Sequence, residues 1–528
     1  MKYIIGSDRK QTAIFPISMD MSIGKDNEVR IIDLYVDSLN IEDMGFKIDH
    51  IDNGRPAYHP KDLLKLYIYG YLNSIRSSRK LEKETQRNIE VMWLLKGLSP
   101  DHNTISNFRR DNPKAIKKVF RSTVEIAKYF ELIGGKLIAG DGTKLRAQNS
   151  KKNNYNQKKI DRHINYIDEK LQDYSEALSE ADGDSAKQIE EKISKHKQQK
   201  QKYQSLEKQL KESGEKQIST SDPDSRQLII RGTITEVAYN IQSTVDAKNK
   251  IPIDYEVTNK NDKRAMTSMV KQAIEIVDNT EFDAVFDKGY HTAEQLHNCH
   301  ELGIETHVAI PSPASNAPNK KYNVSEFIYN NEDDTYSCPA GKILTTNGNW
   351  YVKKNYRVKQ YKTNQCASCA VKSQCTRSKS QRLIERHEFA QALQRNRDAL
   401  KNNPEIYPQR QAIVEHPFGT IKRPWGFDYI MTKKGIDRAS ADVGLIFIAY
   451  NMRRIINLIG IENLTSFLKE LLSIFSVWIL ALKRKIIKFK QCNFLNKIQP
   501  CFLSTHQKGL YSLKINGFNP IFVKFGGF

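Results

Sequence analysis

Acid, cysteine and long apolar runs are all in short supply in this 528-residue chain. Asp and Glu number 61 against 83 Lys and Arg, which leaves a formal net charge of +22. A positive field of that size favours a polyanionic partner, nucleic acid first and an anionic membrane surface second. Seven cysteines are an odd count and few for the length, which argues against a disulfide framework and for a reducing compartment. No run reaches the ~18 apolar residues that a membrane-spanning helix needs. The nearest, LLSIFSVWILAL at 471–482, is too short and is followed at once by Lys483, Arg484 and Lys485. Near the start only IIG is apolar before SDRKQ, so no secretory leader is expected.

What is present is enough chain for about two to four domains and at least one sizeable core. IIDLYVDSLN at 31–40 has helical spacing. From Pro60 the pattern is strongly helical, with Leu63, Leu64, Leu66, Tyr67 and Tyr71 on one broad side and the proline suited to a first turn. Residues 77–95 give one further helix or two short ones, and 99–112 another, capped by Ser99 or Asp101 and ending on Arg109 and Arg110. Short helices, tight turns and a basic tip form a helix-turn-helix-like pattern, read either as a DNA-contacting surface or as a bundle with a solvated basic face.

Beyond the helices, KLIAG at 136–140 reads as a buried strand ended by Asp141, with Gly140 and Gly142 flanking the acid. Residues 151–215 change to Lys, Gln and Glu with sparse apolar positions, the composition of a charged helical hairpin broken near Ala181–Asp184. The stretch 228–310 alternates strands and helices: strands at 237–250 and 251–259, an amphipathic helix from Met266 to Val277, the strand FDAVFD, a helix ending at Gly303 and the strand 306–310. A βαβ series of this kind requires a partly parallel sheet. Asp287 ends the FDAVFD strand, and Lys288–Gly289–Tyr290 turns out of it. An acid there either opens a turn or is held rigid and exposed for chemistry.

Residues 312–400 are polar, basic and poor in core residues, and carry Cys338, Cys366, Cys369 and Cys375 as CPAGKIL … CASCAVKSQC. Such spacing suits tetrahedral zinc, with His387 as a substitute for Cys375, and with a disulfide or free thiols as alternatives. In YPQRQAIVEHPFGTIKRPW at 407–425, Ile413, Val414, Phe418 and Ile421 form a helical stripe around Glu415, and Lys422 follows two turns later. An interior proline is costly, so Pro417 is tolerable if this helix begins near Glu415. Asp141, Asp287 and Glu415, if they converge, are hard oxygen ligands for a pair of Mg²⁺ or Mn²⁺ ions.

These motifs, in this order, resemble a DDE-class transposase of bacterial insertion sequences, of the subgroup with an N-terminal helical domain and a cysteine-bearing insertion. GRPAYHPKDLLKLYIYGY … NTISNFRRDN resembles the N-terminal domain, and GDGTKLRA, VFDKGY and VEHPFGTIKR resemble the two Asp motifs and the Glu motif. STSDPDSR and NIQSTVDAKNKIPIDYEVTNKND resemble the loop and sheet between them, so the likeness spans roughly residues 50–455. The resemblance implies an α/β protein with an RNase H-like catalytic core, in which Asp141, Asp287 and Glu415 are the catalytic, metal-binding triad. Tyr407, Arg410 and Lys422 match a Tyr–Arg–Glu–Lys signature that contacts DNA near the cleaved end, although Arg410 stands five residues before Glu415, one more than the common spacing. Arg109, Arg110, Lys144, Lys288 and Arg423 complete the expected DNA-binding set.

The expected plan is a helical DNA-binding domain at 1–130 and a core at 131–311 that contains the charged insertion 151–215. The cysteine insertion at 312–400, the Glu helix at 401–460 and an accessory tail at 461–528 follow. The tail resembles nothing familiar, and its last stretch suggests a hairpin around Asn516–Gly517. The function expected is cleavage and joining of insertion-sequence ends, by a homodimer on double-stranded terminal-repeat and target DNA, in the bacterial cytoplasm on the nucleoid, with no membrane partner. A non-transposing nuclease and a catalytically inactive DNA-binding protein are the alternatives.

Overall fold

The computed structural model describes residues 18–46, 56–312, 317–353 and 355–495, so the expected tail hairpin lies outside the described residues. The chain divides into two units, Met1–Leu468 and Lys469–Phe528, and the first carries the site discussed below.

Among the described residues, six α-helices come first: α1 (Glu28–Ser38), α2 (Pro60–Leu72), α3 (Ser78–Arg87), α4 (Ile89–Leu94), α5 (His102–Asp111) and α6 (Pro113–Tyr129). Pro60 opens α2, and His59 caps it by accepting from the Lys61 amide. α2 is buried almost all round. Even Lys65 is enclosed, its ammonium 2.6 Å from Asp33 and 2.9 Å from Asp37. Asn88 divides 77–95 into two short helices by capping the second through the Glu90 amide. Of the two candidate caps for α5, Asp101 accepts from the Asn103 and Thr104 amides.

The helices share one hydrophobic core with the sheet that follows. Phe120 of α6 packs edge-on against Tyr255 at 5.1 Å and lies 6.0 Å from Phe447. The N-terminal region is therefore joined to the rest by buried aromatic contact.

Next come β1 (Leu137–Arg146), β2 (Asn154–Tyr155), α7 (Gln157–Ser179), α8 (Asp184–Ser213), β3 (Ile218–Ser219), β4 (Arg226–Arg231), β5 (Ile234–Asp246) and β6 (Ile251–Thr258). α9 (Met266–Val277), β7 (Asp283–Phe286), α10 (Ala293–Glu301) and β8 (Glu305–Val308) complete the series. The six-stranded sheet has the order β4-β5-β1-β7-β8, with β6 also on β5. β1 is antiparallel to β5 and parallel to β7, and β7 is parallel to β8. α7 and α8 form the expected hairpin, turned at Gly183 (φ 62°) and closed at its base by Ile160, Leu206 and Leu210.

One expectation is corrected. Asp141 does not end its strand, because β1 continues to Arg146, paired with β5 all the way. The strand that stops is β7, whose last pair with β1 is Gly140 with Phe286.

Residues 312–400 hold more order than their composition suggests. β9 (Ile328–Asn330), β10 (Thr335–Ser337), β11 (Ile343–Lys353), β12 (Tyr356–Lys362), α11 (Lys372–Cys375) and β13 (Ile384–His387) build a five-stranded antiparallel sheet. Its main buried cluster is Phe327, Leu344, Tyr361 and Ile384. α12 (Ala390–Asn402) already belongs to the main body. Asn396 on it is buried and grips β8, accepting from the Val308 amide at 2.8 Å and donating to the Val308 carbonyl at 2.9 Å.

α13 (Ile406–Lys422) passes straight through Pro417, contrary to the start expected near Glu415. Burial of Ile413, Val414, Pro417, Phe418 and Ile421 against the core offsets the hydrogen bond that proline removes. α14 (Ile436–Leu495) follows, interrupted at Gly460. The loop STSDPDSR caps its start, with Asp222 accepting from the Gly435 amide and Asp224 from the Ile436 amide. Ile436–Ser473 is apolar and long enough to cross a membrane, but most of its apolar window is buried inside the protein. It packs as a core helix.

Candidate active site

β1 and β7 set the site. Gly140 and Phe286 are the last register pair, and the next residue on each strand is Asp141 and Asp287. Neighbouring strands run ~4.8 Å apart, so the two acids emerge side by side where β7 stops. The glycine before Asp141 is required by contact: a Cβ on Gly140 would fall 1.9 Å from the Phe286 ring.

Each carboxylate is held by its own turn. The Gly142 amide donates to Asp141 Oδ1 at 2.7 Å, and the Gly289 amide to Asp287 Oδ1 at 2.7 Å. Burial pushes the Asp141 carboxyl above its ordinary range. Arg410 and the Gly142 amide oppose that rise, and the Asp287 charge adds to it.

α13 supplies the cations. Arg410 Nη1 lies 3.2 Å from Asp141 Oδ2. Arg410 is held charged, against the effect of its burial, by Asp141, Tyr407 and Asp287. Three turns along the same helix, burial lowers the Lys422 ammonium, with Lys144 adding to the effect and Asp141 and Asp428 opposing it. The spacing of Arg410 to Glu415, odd at the sequence level, therefore leaves Arg410 on the first aspartate.

Glu415 is exposed and accepts from Gln411 Nε2 at 2.9 Å, one turn back on its own helix. The structure thus brings Asp141, Asp287, Arg410 and Lys422 together and leaves Glu415 turned along α13. Among the described residues, no three Cys, His, Asp or Glu side chains stand at metal-holding spacing. The Asp141–Asp287 pair nevertheless fits a hard divalent cation, because it offers two adjacent oxygen donors in a setting where burial disfavours leaving both charges unneutralised.

Of the other expected DNA-binding residues, Lys288 and Arg423 are exposed, and Lys144 is paired with Asp262 at 3.1 Å. Arg110 is on the surface and bonded to its neighbour Asp111. Arg109 is elsewhere than expected: it is only 4% exposed. Its guanidinium lies 3.3 Å from Asp442 Oδ1 and 2.8 Å from the Tyr71 hydroxyl. Asp442 is fully buried and also meets Arg76, at 3.6 Å. This cluster ties α2 and α5 to α14 and is not part of a surface. Asp262 was not singled out in the sequence. The signal available was its place in NKND, just before an amphipathic helix.

The four cysteines Cys338, Cys366, Cys369 and Cys375 line one small apolar cavity with Tyr322, Phe327 and Leu344. Burial raises the Cys375 thiol, and the other three sulfurs add to the rise. The Lys342 amide donates to Cys338 Sγ at 3.2 Å. All four are free thiols, so the disulfide alternative is not realised. His387 is not with them, since it stacks on Tyr356 at 4.7 Å and accepts from the Phe389 amide.

Two family models match the chain. Residues 17–111 match a transposase domain (DUF772), and residues 337–456 match a transposase DDE domain. No curated protein matches. A solved structure, a piggyBac transposase synaptic complex with hairpin DNA, aligns at 9% identity over 85% of this chain and 79% of that chain, with a TM-score of 0.29. A mixed α/β body and a matched transposase DDE domain support a metal-dependent enzyme that cleaves and transfers DNA strands. The two matched domains support a DDE transposase of insertion-sequence type, and the mixed sheet fits an RNase H-like core.

Proposed function

We propose that the chain cleaves and joins the ends of its insertion sequence at Asp141 and Asp287, with Glu415 as the third acid. The observation that carries this reading is the register-matched pair of aspartates, one bonded to Arg410. Asp141, Asp287 and Glu415 would hold two Mg²⁺ or Mn²⁺ ions. When bound, such ions activate a water or a 3′-hydroxyl and stabilise the leaving oxygen at a phosphodiester.

The residues around the acids do the positioning. The Gly142 and Gly289 amides each fix one oxygen of the two carboxylates. Arg410 neutralises Asp141 until a phosphate enters, and then offers its charge to that phosphate. Lys422 follows on the same helix, and its buried, weakly solvated ammonium favours an anionic backbone. Lys288 and Arg423 extend this cationic rim, Tyr407 stands hydrogen-bonded beside Arg410, and Arg110 adds a contact from the helical region. Counterion release from these groups supplies affinity for both the terminal repeats and the target DNA. Two copies, one on each end, form the working unit in the cytoplasm.

The five-stranded insertion and the α7–α8 hairpin interrupt the core without altering its strand order, as separate modules would. Four thiols around one cavity, in a module with a small buried core, support a structural zinc there.

The reading is tested at its least constrained member. Glu415→Gln should lose Mg²⁺-dependent cleavage of end-containing DNA by ~10³-fold or more while binding the same DNA as before. Cleavage at the unmodified rate would remove Glu415 from the site.

A further inference from the structure

Asp262 stands in the 3-10 turn Asp262–Arg264 that leads into α9. Its carboxylate accepts from donors on the two longest core strands. Oδ1 accepts from Asn240 Nδ2 and Gln242 Nε2, both at 2.7 Å, and Oδ2 accepts from Lys144 Nζ at 3.1 Å. Gln242 in turn accepts from the Tyr290 hydroxyl, in the turn that carries Asp287.

The same carboxylate is wedged between the turns of both catalytic acids. A methyl on Gly142 would fall 2.6 Å from Asp262 Oδ1. One on Gly289 would lie 3.6 Å from Asp262 Oδ2 and 2.9 Å from Asp287 Oδ1. Gly142 is thus required by Asp262, whereas Gly289 is crowded by Asp287 itself and only touched by Asp262. With Oδ1 taken by two side-chain amides and Oδ2 by the Lys144 ammonium, Asp262 is placed to hold a partner rather than to ligate.

The partner that matters is Lys144. It lies three residues after Asp141 on β1, and the other carboxylates bearing on this pocket are Asp141 and Asp287, which act with Asp262 on the Tyr290 hydroxyl. A released ammonium on a flexible four-carbon stem would become an internal counter-ion for that pair. Resting on the two-aspartate reading above, we propose that Asp262 is a positioning residue: it clamps Lys144 away from Asp141 and Asp287, so that the two carboxylates stay free for a divalent cation.

The test is Mn²⁺ binding by the full chain, followed by electron paramagnetic resonance, for the wild type, Asp287→Asn, Asp262→Asn, Lys144→Met and the Asp262→Asn/Lys144→Met double variant. The wild type should bind Mn²⁺ and Asp287→Asn should not. Asp262→Asn should bind ~10-fold more weakly, the usual scale for loss of a supporting contact. The double variant should recover to within about threefold of the wild type, because the freed lysine is gone. Lys144→Met alone should bind as the wild type does.

If Asp262→Asn binds Mn²⁺ normally, or the double variant stays as weak as the single, the clamp is wrong. Should Asp262→Asn fail to fold, Lys144→Met decides: unchanged affinity supports the clamp, and a tenfold gain shows that Lys144 already competes for the site and overturns it. If the wild type shows no Mn²⁺ site that Asp287→Asn removes, the two-aspartate reading falls, and the clamp falls with it.

Discussion

Arg410 Nη1 lies 3.2 Å from Asp141 Oδ2, an ion pair between a helix that follows the cysteine-bearing sheet and the first strand of the core. It joins residues 269 positions apart and fixes α13 over the end of β7. It is also incomplete compensation, because burial and the nearby Asp287 still hold the Asp141 carboxyl above its ordinary range.

That imbalance has a consequence for stability. A carboxyl whose folded pKa is raised favours the fold when protonated. This contribution is full below the unfolded value of 3.8 and is lost as pH rises through the folded value. Asp141→Asn removes the loss. The variant should therefore have a higher Tm than the wild type at pH 7, and the difference should vanish below pH ~3.8. Calorimetry across pH checks this, and an equal or lower Tm at neutral pH contradicts it.

The buried Asp442 cluster predicts a different phenotype. Asp442→Ala leaves Arg76 and Arg109 without their carboxylate in a dry interior. It should cost about 3–5 kcal/mol in urea unfolding, the scale for stranding a buried charge. Arg110→Ala, at the exposed neighbouring position, should change stability by less than ~0.5 kcal/mol. Equal effects at Asp442 and Arg110 would contradict the placement of Arg109 in the interior.

For the cysteine cavity, the purified protein should carry about one zinc per chain by elemental analysis, as a four-thiolate site would. Cys366→Ser/Cys369→Ser should lose it and make the β9–β13 region sensitive to protease. Zinc-free wild-type protein with an intact insertion would show that the four thiols stay reduced and metal-free.

How far the chain could be read in advance follows from where its information lies. β7 and Asp287 were legible, because FDAVFD is a short apolar strand followed by a glycine turn. α9 was legible from the 3.6-residue spacing of its apolar positions. The continuation of β1 past Asp141 was not, since GDGTKLR has little strand character and is held extended by β5. The five-stranded sheet was hidden because β11 is exposed along most of its length and shows no buried alternation. Arg109 reads as surface charge in any local window, and its carboxylate stands 333 residues later. Pro417 misplaced the start of α13, because tertiary burial overrides a local breaker. The orientation of Glu415 was equally beyond the sequence, being set by which face of α13 the core takes.

The central claim is that Asp141 and Asp287 form the cleavage centre, and Asp287→Asn tests it most directly. Purified variant and wild type are given the same end-containing duplex with Mg²⁺, and cleavage and binding are measured side by side. The variant should bind the ends within about twofold of the wild type and cut them at least ~10³-fold more slowly. Cleavage at the wild-type rate would mean that the chemistry lies elsewhere in the chain.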